Sequence, residues 1–190
     1  MDSVAVDPVA IAERSYGIAA RVIAGVRPDQ LDQSTPCSEW DVRALMNHII
    51  GAHYYFTGAL RGQEMDPNAT PPDFAAHDPV GTFTQASEGM LEAWREPGAL
   101  DRTVQTLLGP MPASMLIGMH TMDNLVHAWD LARATGQDEH LDAEMATQLL
   151  GMMHQVNPPR GEGAPFKPEQ PCPAGAIPEH QLAAYLGRSI

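Results

Sequence analysis

Basic residues are scarce in this chain. Lys and Arg number 11 against 24 Asp and Glu in 190 residues, a formal net charge of -13. That removes the electrostatic footprint that nucleic acid or an anionic membrane surface would need. Cysteine is nearly absent: Cys37 and Cys172 are too few for a disulfide framework and suit a reducing cytoplasm. No uncharged apolar run approaches the roughly 20 residues that span a bilayer, and Asp2 and Asp7 stand where a signal peptide would carry its basic region. The expectation is a soluble, cytoplasmic protein with neither nucleic acid nor membrane as partner. Apolar side chains, by contrast, make up 44% of the chain, enough for one domain over residues 1–190 with a sizeable core.

Helical periodicity dominates. It predicts helices over about Pro8 to Val26, Val42 to Arg61, Val80 to Arg95, Pro112 to Thr135, Asp142 to Val156 and Pro178 to Leu186. Asp41 is placed to cap the second helix, and Gly136 to end the fourth as a C′ glycine. The breaks are equally marked: a turn at Ser34-Thr35-Pro36-Cys37-Ser38, a long loop over 62–79, and a Pro/Gly-rich tail segment over 157–177. Thr103, Val104 and Thr106 give the stretch from Leu100 to Leu108 a weak extended character. Long helices without a strand-rich region or a repeat indicate an all-α four-helix bundle with additional short helices.

The fourth helix carries two adjoining stripes. Met115, Met119, Met122 and Val126, with Trp129 close by, read as core filling. His120, Asp123 and His127 lie in the next arc, flanked by apolar residues, and so must be paired, hydrogen-bonded or metal-bound. Asp123 and His127, one turn apart, project from one face about 5–6 Å from each other. That spacing suits two ligands of one divalent metal, and suits equally the commoner intrahelical hydrogen-bonded pair. His48 lies in a second apolar helix that can face the first; two ligands on one helix and a third on a neighbour leave a coordination position open, as in catalytic zinc sites. Taken singly, His48 reads as a satisfied core histidine, and His120 as a structural residue or one that supports the ligands from behind. His53, His77, His140, His154 and His180 fall in no matching register and read as surface or incidental. Cys37 follows a proline near a helix start, as a small filler or a stabilised thiolate; Cys172 has no evident partner. No dedicated general base and no basic cluster for an anionic ligand is legible, Arg43, Arg61, Arg102 and Arg133 being scattered.

Two segments together resemble a known family. Thr35-Pro36-Cys37-Ser38-Glu39-Trp40-Asp41-Val42-Arg43-Ala44-Leu45-Met46-Asn47-His48 is similar to the T-P-C-x-x-W-x-V-R-x-L-x-x-H stretch of actinobacterial DinB-like proteins of the mycothiol-dependent maleylpyruvate isomerase superfamily. Leu125-Val126-His127-Ala128-Trp129-Asp130-Leu131-Ala132-Arg133-Ala134-Thr135-Gly136 resembles its L-V-H-x-W-D-L-A-R-A-T-G stretch, and Leu182 to Arg188 resembles its L-x-x-x-L-G-R close. The resemblance implies a DinB-like antiparallel four-helix bundle in which His48, Asp123 and His127 bind a divalent metal. Zinc suits that ligand set and nickel is also compatible. The acidic position is commonly Glu in the family; here it is Asp, one methylene shorter, and His120 one turn earlier is placed to compensate.

The resemblance further implies a metal-dependent thiol transferase or isomerase that uses mycothiol, with a small-molecule thiol and an electrophile as partners. The alternative is a non-catalytic metal- or ligand-binding module with a stress-related or regulatory role. Trp40, Trp129, Asp130 and Arg133 are expected to pack, or to support the metal ligands from behind. The loop over 62–79 and the tail over 158–175 are the segments available to cover a pocket. Apolar helix faces allow a homodimer.

Overall fold

The computed structural model describes residues 7–63, 72–107, 109–164 and 166–190. Among these the chain forms six α-helices: α1 Pro8–Ala24, α2 Val42–Leu60, α3 Pro79–Arg95, α4 Ala113–Thr135, α5 Ala143–Val156 and α6 Pro178–Tyr185. Four of them start on an aspartate whose carboxylate accepts a backbone N–H of the first turn: Asp7 from Val9, Asp41 from Ala44, Asp78 from Gly81 and Asp142 from Met145. Each such cap satisfies a donor the helix itself cannot, and puts negative charge at the positive end of the helix dipole. Gly136 closes α4 in the left-handed region (φ 70°), where a residue without Cβ is unstrained.

The extended character around Thr103 is part of a small hairpin. Strand β1, Thr103–Thr106, pairs antiparallel with β2, Gly109–Pro112, so that Val104 faces Met111 across the ladder. The sequence hides β2 because Gly-Pro-Met-Pro reads as a breaker. In a two-stranded ribbon both strands are edges, and the missing N–H groups of Pro110 and Pro112 are tolerated there. The helix expected from Pro112 therefore starts one residue later.

α1 packs against α3 and α4, and α2 against the same two helices, which closes a four-helix bundle; α6 lies on α5 and α4. This is the all-α DinB-like fold, with the hairpin and the last two helices added. α4 is its centre: from His120 to Ala132 every residue is buried except Asp123. The methionine stripe fills core only in its later part. Met122 is buried, but Met115 is 54% exposed, because α4 gains neighbours on all sides only in its second half.

Candidate metal centre

In α2, Leu45, Met46, Ile49 and Ile50 are fully buried, which leaves His48 at the edge of the apolar face. It looks across at the one partly open position of central α4. His48 Nε2 lies 3.3 Å from Asp123 Oδ2, and His127 Nε2 lies 3.2 Å from Asp123 Oδ1. One ligand atom from each of the three residues falls within 4.8 Å of the other two. Asp123 is thus more than one half of an intrahelical pair, since it stands between imidazoles from two helices. His48 Nε2 is buried yet makes no hydrogen bond; its approach to Asp123 is close but off hydrogen-bond geometry.

His127 is held from behind. Its Nδ1–H donates to Asp130 Oδ2 at 3.0 Å, which turns Nε2 towards Asp123 and His48. Asp130 is completely buried and in turn accepts two N–H groups of Arg188, at 3.0 and 3.3 Å. Burial opposes charge throughout this chain of groups, and the partners override it. The Asp123 carboxylate holds His127 up at about 9, helped by Asp130. Asp123 sits well below the usual carboxylate range because of His127 and His48. Asp130 is lowered by His127 and Arg188. A carboxylate behind the distal nitrogen of an imidazole is the usual support for a metal-binding histidine.

These side chains open onto a cavity of about 280 Å³. One wall is the turn before α2, where Thr35 Oγ1 donates to the carbonyls of Trp40 and Cys37. That turn lays the Trp40 ring 4.4 Å from the ring of His48. Cys37 is half-buried in the same wall, and burial pushes its thiol up, so it is neither a hidden filler nor a stabilised thiolate. Of the residues expected to support the ligands, Trp40 and Asp130 do so. Trp129 and Arg133 instead pack together away from the cavity, with the guanidinium 5.2 Å over the indole.

His120 has the structural role expected of it but does not compensate at the candidate metal site, and His53 departs from a surface placement. His120 does not reach the ligand cluster: its Nδ1 accepts the Tyr16 hydroxyl at 2.8 Å, deep in the core. Helical angle puts His120 and His127 in one arc, but seven residues of rise separate them by about 10 Å along the axis. His53, read as surface or incidental, is fully buried among Tyr16, Phe83 and His120. The basic groups of the site, Arg188 and Lys167, lie far along the chain from the ligands. Only the Leu186-Gly187-Arg188 close signalled one of them. The tail does reach the cavity, through Phe166 and Lys167. Of the 62–79 loop, residues 64–71 lie outside the described residues and the remainder does not line it.

Comparison with known proteins agrees with this architecture. The family model of the mycothiol maleylpyruvate isomerase N-terminal domain matches residues 14–132. Two uncharacterized proteins of Mycobacterium tuberculosis, Rv0738 and MT0763, are each 38% identical over 97% of this chain and 99% of their own length. A crystal structure of the mycothiol-dependent maleylpyruvate isomerase superposes with a TM-score of 0.61 at 18% identity, over 75% of this chain and 66% of that one. A histidine-to-alanine mutant of that enzyme matches equally well, at 17% identity. At such identities the likeness is one of fold, and this chain spans just under two thirds of that enzyme's length. The family match over the bundle and the relatives matched end to end lead to one assignment: the chain belongs to the mycothiol maleylpyruvate isomerase N-terminal domain family.

Proposed function

We propose that this protein is a divalent-metal-dependent enzyme that acts through a small thiol of the mycothiol type, as a transferase or isomerase. The observation that carries this reading is the convergence of His48, Asp123 and His127 within 4.8 Å at the wall of an open cavity. Two imidazole nitrogens and a carboxylate oxygen suit zinc, and nickel accepts the same donors. His48 is only half-buried, but its Nε2 is shielded from solvent and makes no hydrogen bond; a shielded nitrogen aimed at a carboxylate and a second imidazole fits a cation between the three side chains.

A bound divalent cation supplies the Lewis acidity that keeps a thiol sulfur as thiolate near neutral pH. The chain's own residues do the rest. Asp130 holds the Nδ1 proton of His127 and so fixes the tautomer that offers Nε2. Arg188 keeps Asp130 ionised in its buried position. Trp40, Met122 and Val126 give the cavity an apolar wall that receives the body of an electrophile and keeps water from it. The name of the solved relative supports mycothiol as the thiol. An open cavity beside the ligand atoms favours turnover over the alternative of a non-catalytic binding module, and His120 does not close it.

Metal analysis of protein purified without chelators, beside a His127→Ala variant, tests the reading. About one equivalent per chain is expected in the wild type and none in the variant. Thiol-dependent consumption of electrophiles by the loaded protein is the second step. Wild-type protein that takes up no metal from zinc or nickel would overturn the proposal.

A further inference from the structure

Lys167 is the only lysine of the chain, and it stands in the cavity that His48, Asp123 and His127 line. It lies beyond the residues 14–132 matched by the family domain. Its position is built from both sides. Arg160 donates to the Tyr185 carbonyl and lies 3.9 Å over the Tyr185 ring. The Gly161 N–H donates to the Phe166 carbonyl at 2.9 Å, and the Gln170 N–H to the Ala184 carbonyl at 2.9 Å. The segment carrying Lys167 is thereby strapped to the end of α6. Gly187, at φ 92°, lets the strap come close: a Cβ there would sit 2.6 Å from Lys167 Cβ and 3.1 Å from its backbone.

The ammonium donates to Ser38 Oγ at 2.5 Å. Among the described residues no carboxylate lies within ion-pair distance of it, although the chain has 24 acidic residues. Arg188, the other cation of the cavity, is already taken by Asp130. The ammonium stands at the exposed rim of the cavity, and the carboxylates that share the lining, Glu39 and Asp123, form no ion pair with it, so with only a hydroxyl as partner it has capacity for an anion from the ligand.

We propose that Lys167 recognises a carboxylate of the ligand that enters this cavity, so that the site selects monocarboxylates over neutral molecules of the same shape. Glu39, on the same cavity wall, repels a second carboxylate and sets the limit at one. The catalytic consequence rests on the reaction proposed above, but the anion binding itself does not require the metal.

The test titrates two matched pairs of probes, 3-mercaptopropionate against 2-mercaptoethanol and crotonate against crotonamide. Intrinsic tryptophan fluorescence, to which Trp40 in the cavity wall contributes beside Trp94 and Trp129, is followed with chelator-treated and with zinc-loaded protein. In the wild type the acid of at least one pair should bind about tenfold more tightly, the scale of one charge-assisted contact. That preference should vanish in Lys167→Met, survive in Lys167→Arg, and weaken in Gly187→Ala, which displaces the strap. A preference in the mercapto pair assigns the carboxylate to the thiol; one in the crotonate pair assigns it to the electrophile. Equal affinities in both pairs, or a preference untouched in Lys167→Met, would overturn the inference. Metal content measured on the same samples reads the metal centre separately, so the two proposals can fail independently.

Discussion

Between Asp123 and Asp130, His127 is the pivot of the site, and its two ring nitrogens have different duties. Asp130→Asn removes the charge behind Nδ1 and leaves the Arg188 guanidinium, mostly buried, without its partner. Zinc affinity measured by competition with a chromophoric chelator should fall about 10–100-fold, with helical content kept. Affinity equal to wild type would show that Asp130 braces the fold only. A second prediction concerns the histidines of the core. Burial pulls His53 down to about 4 and holds His120 well below the ordinary imidazole range, so both are neutral in the folded chain. Unfolding lets them take up protons once the pH is below about 6.5. The stability they contribute is therefore complete above that pH, is lost progressively as the pH falls, and for His53 the loss levels off near 4. For His53 alone the loss is roughly 3 kcal/mol across that window. Melting temperatures between pH 6.5 and 4 should fall accordingly, and a His53→Gln variant should show a shallower decline. Parallel curves would refute this account.

The helices depend on their caps. Asp41→Ala unties the start of α2 and should cost about 1 kcal/mol, seen in urea unfolding. Metal content should be unchanged, because His48 lies two turns further in. Such caps are also why the helices were legible: Asp41 and Gly136 mark ends by mechanisms that a sequence displays. The hairpin was half legible, since Thr103 to Thr106 has strand character while the prolines of β2 disguise it. Of the site, His48, Asp123 and His127 were legible through spacing and through motif. Spacing alone gives an angle around the helix and not a height along it, which is how His120 came to be grouped with His127. Arg188 and Lys167 were not legible as site residues. Their partners lie 58 and 129 residues away, and nothing local to Leu-Gly-Arg or to Phe-Lys-Pro tells which carboxylate or cavity they meet. His53 was missed for the same reason, because what buries it comes from α1, α3 and α4.

For the molecule as a whole, a metal held by the candidate ligands would tie α2 to α4, and its binding would then be coupled to stability. Zinc at a hundredfold over its dissociation constant should add about 2.7 kcal/mol, raising the melting temperature by roughly 5–10 °C for a domain of this size. Chelation should reverse the rise, and His127→Ala should show none. The pairing of Asp130 with Arg188 bears on the order in which the protein assembles. Synthesis completes the four bundle helices about fifty residues before Arg188 is made. Until then the bundle must hold a carboxylate at its centre with only an imidazole to answer it, and an incompletely paired buried charge costs several kcal/mol. The end of α4 near Asp130 is accordingly the last part to close, waiting for α6 and the guanidinium that follows it. A nascent chain caught before that moment would have its bundle and no working centre.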